Sequence, residues 1–83
     1  MRKTLFRDAF EIVATHLAAA SLNMARVVEM TTYHVGLRNH LQVFLRIKYE
    51  FVRAPYPAWT AIGVTELITP GTLLEIRVIA HRD

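Results

Sequence analysis

Eighty-three residues, 53% of them apolar and 20% charged, with no cysteine, set narrow bounds on this protein. The length allows one small domain, the apolar share excludes intrinsic disorder, and the missing thiol excludes disulfides, cysteine nucleophiles and cysteine-ligated metals. Ten Lys and Arg against seven Asp and Glu give a net charge of +3, but the arginines are spread from Arg2 to Arg82 without a basic, aromatic-rich segment, so nucleic acid is not an expected partner. No apolar run reaches the roughly 18 residues of a membrane span. Arg7, Asp8 and Glu11 interrupt the place where a signal peptide would carry its apolar stretch, so a cytoplasmic protein is expected. So short and apolar a chain is expected to bury part of its surface against another copy of itself.

Phe6, Phe10, Val13, Leu17 and Ala20 recur at helical spacing and predict a helix over 3–20, with Thr4 as its N-cap and Ser21-Leu22-Asn23 as its stop. The β-branched and aromatic stretch from Arg26 to His34 predicts a strand, with Val28, Met30, Thr32 and His34 on one side. Gly36 breaks it. A second helix is predicted from Arg38 or Asn39 to Arg53, its apolar face carrying Leu41, Phe44, Leu45, Phe51 and Val52. Lys48 falls in the middle of that face, and Pro55 and Pro57 end the helix. Strands are predicted over 58–67 and 72–80, separated by the turn residues Pro70-Gly71. The strand–helix–strand part is expected to run parallel, and the last two strands to form an antiparallel hairpin. The simplest closed arrangement is an α+β domain, helix-strand-helix-strand-strand, with two helices on one face of a mixed sheet. The other face stays apolar and uncovered, and sheets from several subunits packing together would cover it.

The chemistry-bearing residues are few. The four histidines, at 16, 34, 40 and 81, lack metal-ligand spacing, so no metal site is expected, and no cofactor motif is present. Glu75 alternates inside an otherwise apolar strand. It either pairs with Arg77 on a partly wet face or stands as a carboxylate in a cleft, able to orient water or move a proton. Lys48 either snorkels along Phe44 and Leu41 into solvent or lines a pocket for an anion. Trp59 is either core or a flat apolar wall of a binding site.

The run Pro55-Tyr56-Pro57-Ala58-Trp59-Thr60-Ala61-Ile62-Gly63-Val64, followed by 70–80, resembles the C-terminal signature of the YjgF/RidA family, P-A-R-T-x-V-G-V, a turn, and V-E-I-E-A-I-A. Residues 26–33 are similar to the family's V-V-K-M-T-V-Y strand. Ile47-Lys48-Tyr49-Glu50 and Tyr56–Thr65 are similar to the YjgH-like branch, V-K-N-E and Y-P-N-W-T-A-V-G-V-T. The resemblance implies a chorismate-mutase-like fold reduced to one domain over 1–83, without the family's N-terminal strands. It also implies homotrimers whose sheets form a central barrel, with small-molecule clefts between subunits. Family members hydrolyse enamines and imines such as 2-aminoacrylate, and some have been described as RNA-cleaving. Carried over, Glu75 matches the glutamate that positions water, while Trp59 stands where the family's arginine holds the substrate carboxylate. A replacement cation would have to come from Lys48 or Arg77. The expected function is thus a small-molecule-binding homotrimer, with Trp59, Ala61, Tyr33 and Lys48 as ligand-binding candidates and Glu75 as the catalytic candidate. The alternatives are an enamine/imine deaminase and a structural remnant without activity.

Overall fold

The computed structural model describes residues 2–82. Helix α1 spans Arg2–Ala19, a short 3-10 turn Met24–Arg26 leads into strand β1, Val27–Val35, and helix α2 spans Leu37–Phe51. Strands β2, Ala58–Val64, and β3, Leu74–Ala80, complete the domain. Thr4 therefore lies inside α1 rather than at its cap, and β2 stops three residues before the predicted end, at Val64.

The stop of α1 is built from residues the sequence singles out. Ser21 adopts φ 61. Its N–H donates to the Ala18 carbonyl at 2.9 Å, and the Leu22 N–H donates to the Leu17 carbonyl at 2.7 Å. These two bonds satisfy the last orphan carbonyls in a Schellman arrangement, with a serine in the left-handed position that glycine usually holds. Gly36, at φ 74, makes the corresponding tight reversal from β1 into α2, where its carbonyl accepts from the Asn39 N–H at 2.9 Å.

The sheet order is β2-β1-β3. Strand β1 runs parallel to β2, with Met30 beside Trp59 and Thr32 beside Ala61. It runs antiparallel to β3, with Tyr33 opposite Glu75 and Thr31 opposite Arg77. The last two strands are therefore not a hairpin: they flank β1 on opposite sides. The segment 65–73 between them is longer than a tight hairpin loop, and β1, the longest strand, pairs along both of its edges. A register shift between Val27 and Glu29 swings Val28 off the core side, where it is 51% exposed while Val27 is buried.

Both helices cover one face of the sheet. Phe6, Phe10 and Leu17 of α1 meet Phe44 and Ile47 of α2, Val27 and Met30 of β1 and Leu74 of β3 in the core. Aromatic rings dominate it: Phe10 stacks on Phe51 at 5.2 Å between centroids, and Phe44 stacks on Trp59 at 5.9 Å. An Arg7–Glu50 ion pair, 2.8 Å from Nη2 to Oε2, ties the outer sides of the helices together. The second face carries Thr31, Tyr33, Thr60, Ile62, Glu75, Arg77 and Ile79 by the alternation of the strands. No described element covers it. No helix among the described residues is long and apolar enough to cross a membrane.

Candidate functional site

The pleat separates the candidate residues into two groups. Strand register puts Trp59 and Ala61 on the helix side, beside Met30 and Thr32. It puts Tyr33 and Glu75 opposite each other on the uncovered side. Within one protomer the sheet therefore brings Tyr33 and Glu75 together, brings Trp59 and Lys48 together, and keeps the pairs on opposite faces.

On the uncovered face Glu75 is exposed, and Tyr33 is half-buried. Arg77 shares this face one pleat along from Glu75, opposite Thr31. No ion pair joins Glu75 and Arg77 among the described residues. A carboxylate, a phenol and a guanidinium thus stand on a surface otherwise made of Ile62, Ile79 and threonines. Of the two candidate cations, Arg77 shares the face of Glu75, and Lys48 does not.

Lys48 does not snorkel. It is 3% exposed, and its Nζ lies 3.9 Å from the Trp59 ring centroid and 4.9 Å from that of Tyr49. The α2 helix turns this position onto the sheet, and the indole face is the partner that a desolvated ammonium finds there. Burial holds the Lys48 ammonium below the ordinary lysine pKa.

The indole nitrogen is engaged as well. Trp59 Nε1 donates to Thr32 Oγ1 at 2.9 Å. Thr32 Oγ1 lies 2.7 Å from His34 Nε2, and His34 Nδ1 lies 3.0 Å from His40 Nε2. Thr32 and His34 are fully buried and His40 nearly so. Burial, reinforced by the neighbouring His40, pushes His34 down to a pKa of about 4. This polar series was not foreseen from the residues, although a signal was there. Thr32 and His34 share the strand parity of the buried Met30, and His40 falls four residues before Phe44 on the same helix face. Among the described residues no group of three or more His, Asp or Glu is placed to hold a metal ion.

The two larger hollows lie away from both groups. A groove of about 380 Å³ runs between Leu5, Ala9 and Ile12 of α1 and residues 70–74, and another of about 360 Å³ lies among residues 65–73. A shallow hollow of about 50 Å³ among Glu29, Thr31, Arg77 and Ile79 is the only one of these on the uncovered face.

Comparison with known proteins agrees with this architecture. The model of the family described as endoribonuclease L-PSP matches residues 3–82. The RutC family protein YjgH of Escherichia coli (strain K12) is 39% identical over 76 residues, 90% of this chain and 56% of the relative. The chain belongs to the YjgF/RidA family. The solved structure of YjgH superposes on this YjgF/RidA domain with a TM-score of 0.84 at 37% identity, covering 90% of the chain and 57% of YjgH. Rv2704 from Mycobacterium tuberculosis gives a TM-score of 0.86 at 26% identity, covering 93% and 64% of the two chains. TdcF of E. coli, solved with bound serine, gives 0.79 at 28%, covering 94% and 62%. The fold is the α+β chorismate-mutase-like one of these YjgF/RidA proteins. The chain spans a little over half the length of YjgH.

Proposed function

We propose that this chain is the subunit of a small-molecule-binding homotrimer whose ligand sites lie between subunits. The observation that carries the reading is the uncovered sheet face, where Glu75, Tyr33 and Arg77 stand together among exposed apolar side chains. In a single protomer only Arg77 of the three borders a hollow, a shallow one shared with Glu29, Thr31 and Ile79, so a ligand would need a second wall, and a neighbouring copy is the economical source of one. The chemistry of the three side chains suits a compact ligand with both an acidic and a basic or carbonyl group. Arg77 would take the carboxylate and Glu75 the opposite end. TdcF, a relative of similar fold, was solved with serine, a molecule of that class. Nucleic acid stays outside this reading, since the cations are spread along the chain without a basic, aromatic-rich segment.

The second reading is hydrolysis of an enamine or imine, with Glu75 orienting the water. It rests on the match of Glu75 to the glutamate of the family motif and on the presence of Arg77 on the same face. Trp59 offers an indole where the family motif has arginine. Here that indole faces the helices, with its N–H given to Thr32, so it would not clamp a carboxylate.

Two measurements test these readings. Thermal melting against a panel of small amino and keto acids, serine included, should show at least one that raises Tm in the wild type and not in Glu75→Gln or Arg77→Gln. No shift with any of them would contradict the binding site. Hydrolysis of 2-aminoacrylate generated in the assay, abolished by Glu75→Gln, would establish the deaminase; a rate no greater than buffer would exclude it.

A further inference from the structure

The polar series behind the sheet is not used by the proposed ligand site, and its proton positions follow from its geometry. An indole nitrogen only donates. Thr32 Oγ1 therefore receives the Trp59 proton across 2.9 Å and gives its own to His34 Nε2 across 2.7 Å. His34 then carries its single proton on Nδ1 and gives it to His40 Nε2 across 3.0 Å. The reverse order would leave the Thr32 hydroxyl proton without an acceptor within the series. Among the described residues no buried side-chain nitrogen or oxygen lacks a partner. In this order His34 carries its proton on Nδ1 and His40 accepts it at Nε2.

Another proton disrupts this series. A cationic His34 would aim a donor at Thr32 Oγ1 and take away Nε2 as the acceptor of the Thr32 hydroxyl proton. A cationic His40 would set two N–H groups against each other across the 3.0 Å contact. The series also joins three elements: Trp59 belongs to β2, Thr32 and His34 to β1, and His40 to α2.

The neighbours of His34 do not favour a cation on its ring. From α2, His34 is met by His40 and by the edge of Phe44, 4.7 Å between centroids, and the same helix places the Lys48 ammonium over Trp59. From α1 the ring of Phe6 lies 4.8 Å from that of His40, while Arg7 turns to Glu50. From β3, Leu74 stands beside His34 and Glu75 and Arg77 project from the other face. Strand β2 carries no titratable side chain.

We propose that the Trp59–Thr32–His34–His40 series is an acid-sensitive fastening between α2 and the sheet, which opens when one proton enters it. Opening breaks the bond across β1 and α2, frees the indole N–H and lets water reach the indole. Burial already holds His34 at a pKa of about 4, so the fastening is closed at neutral pH and opens under acid conditions.

Trp59 is the sole tryptophan, so its emission reports the event directly. The wild type should show a reversible red shift of tryptophan emission with a midpoint between about pH 4 and 6. The double variant His34→Gln/His40→Gln should lose that transition. An unchanged transition in the double variant, or no shift in the wild type down to pH 4, would overturn the proposal. Should the double variant not fold, nitrogen chemical shifts of the histidine rings in the wild type decide. His34 should be neutral with its proton on Nδ1 at pH 7, and charged only together with the emission change. A His34 protonated on Nε2, or charged at pH 6.5, contradicts it.

Discussion

Trp59 is held at its ring and at its nitrogen: Phe44 stacks on it, Lys48 lies over it, and Thr32 accepts its proton. These contacts differ in what they cost to break. Thr32 is fully buried, and Thr32→Val removes the acceptor of one buried donor and the donor to His34 Nε2. The loss should be about 2 kcal/mol of unfolding free energy, read from urea titration. Lys48→Met is the opposite case. It removes a desolvated ammonium and keeps an unbranched apolar stem of similar length against the indole. Its urea midpoint should not fall below that of the wild type; a clear drop would mean that the cation–π contact outweighs the burial cost. His34 adds a pH dependence. Its pKa is about 4 in the fold against 6.5 for the ordinary imidazole, so between these values the unfolded chain binds more protons than the folded one. Stability is therefore complete above about pH 6.5 and declines as the pH falls, by about 3 kcal/mol on reaching pH 4. Urea midpoints at pH 7, 6, 5 and 4.5 should decrease in that order, and less steeply in His34→Gln.

At the scale of elements, the predicted helices and strands agree in order and type with the observed ones, because each carries its own periodicity. Phe6, Phe10 and Leu17 mark a face that needs no partner to be recognised. The ends were less legible, since they rest on single backbone conformations. Ser21 is the instructive one: the sequence marks a stop there, and the structure shows that the stop uses φ 61 on a residue with a side chain. Ser21→Gly removes the steric cost of that conformation while keeping both backbone bonds. It should stabilise the domain by about 1 kcal/mol, measured as a higher urea midpoint with unchanged slope. The hairpin expectation failed for a related reason. Adjacency in sequence favours pairing of β2 with β3, but the connection of 65–73 carries the chain past β1 to its other edge.

For the whole molecule, the two faces of the sheet have different fates. One is filled by α1 and α2. The other exposes Ile62 at 38% and Ile79 at 46%, a surface that water tolerates poorly when contiguous. Under the proposed trimer this face is internal. Light scattering at micromolar concentration should then give three times the subunit mass of 9.5 kDa. Ile62→Lys/Ile79→Lys should lower that mass to the monomer's with an unchanged far-UV spectrum. A monomeric wild type would contradict the assembly.

The sequence by itself determined the succession of helices and strands, the turn residues, and membership of the YjgF/RidA family through motifs that are local runs of residues. It also singled out Glu75, Lys48 and Trp59, because each breaks or punctuates an apolar pattern. Only the tertiary structure decided what surrounds them. Period-2 alternation says that Tyr33 and Thr32 point opposite ways, but not which of them meets a helix, nor that Glu75 would share a face with Tyr33 while Trp59 took the other. Burial of Lys48 and the linking of His34 to His40 depend on how α2 lies across the sheet. That docking is a long-range packing outcome, set by the volumes of Phe6, Phe44 and Trp59 together, and no local stretch of the chain encodes it alone.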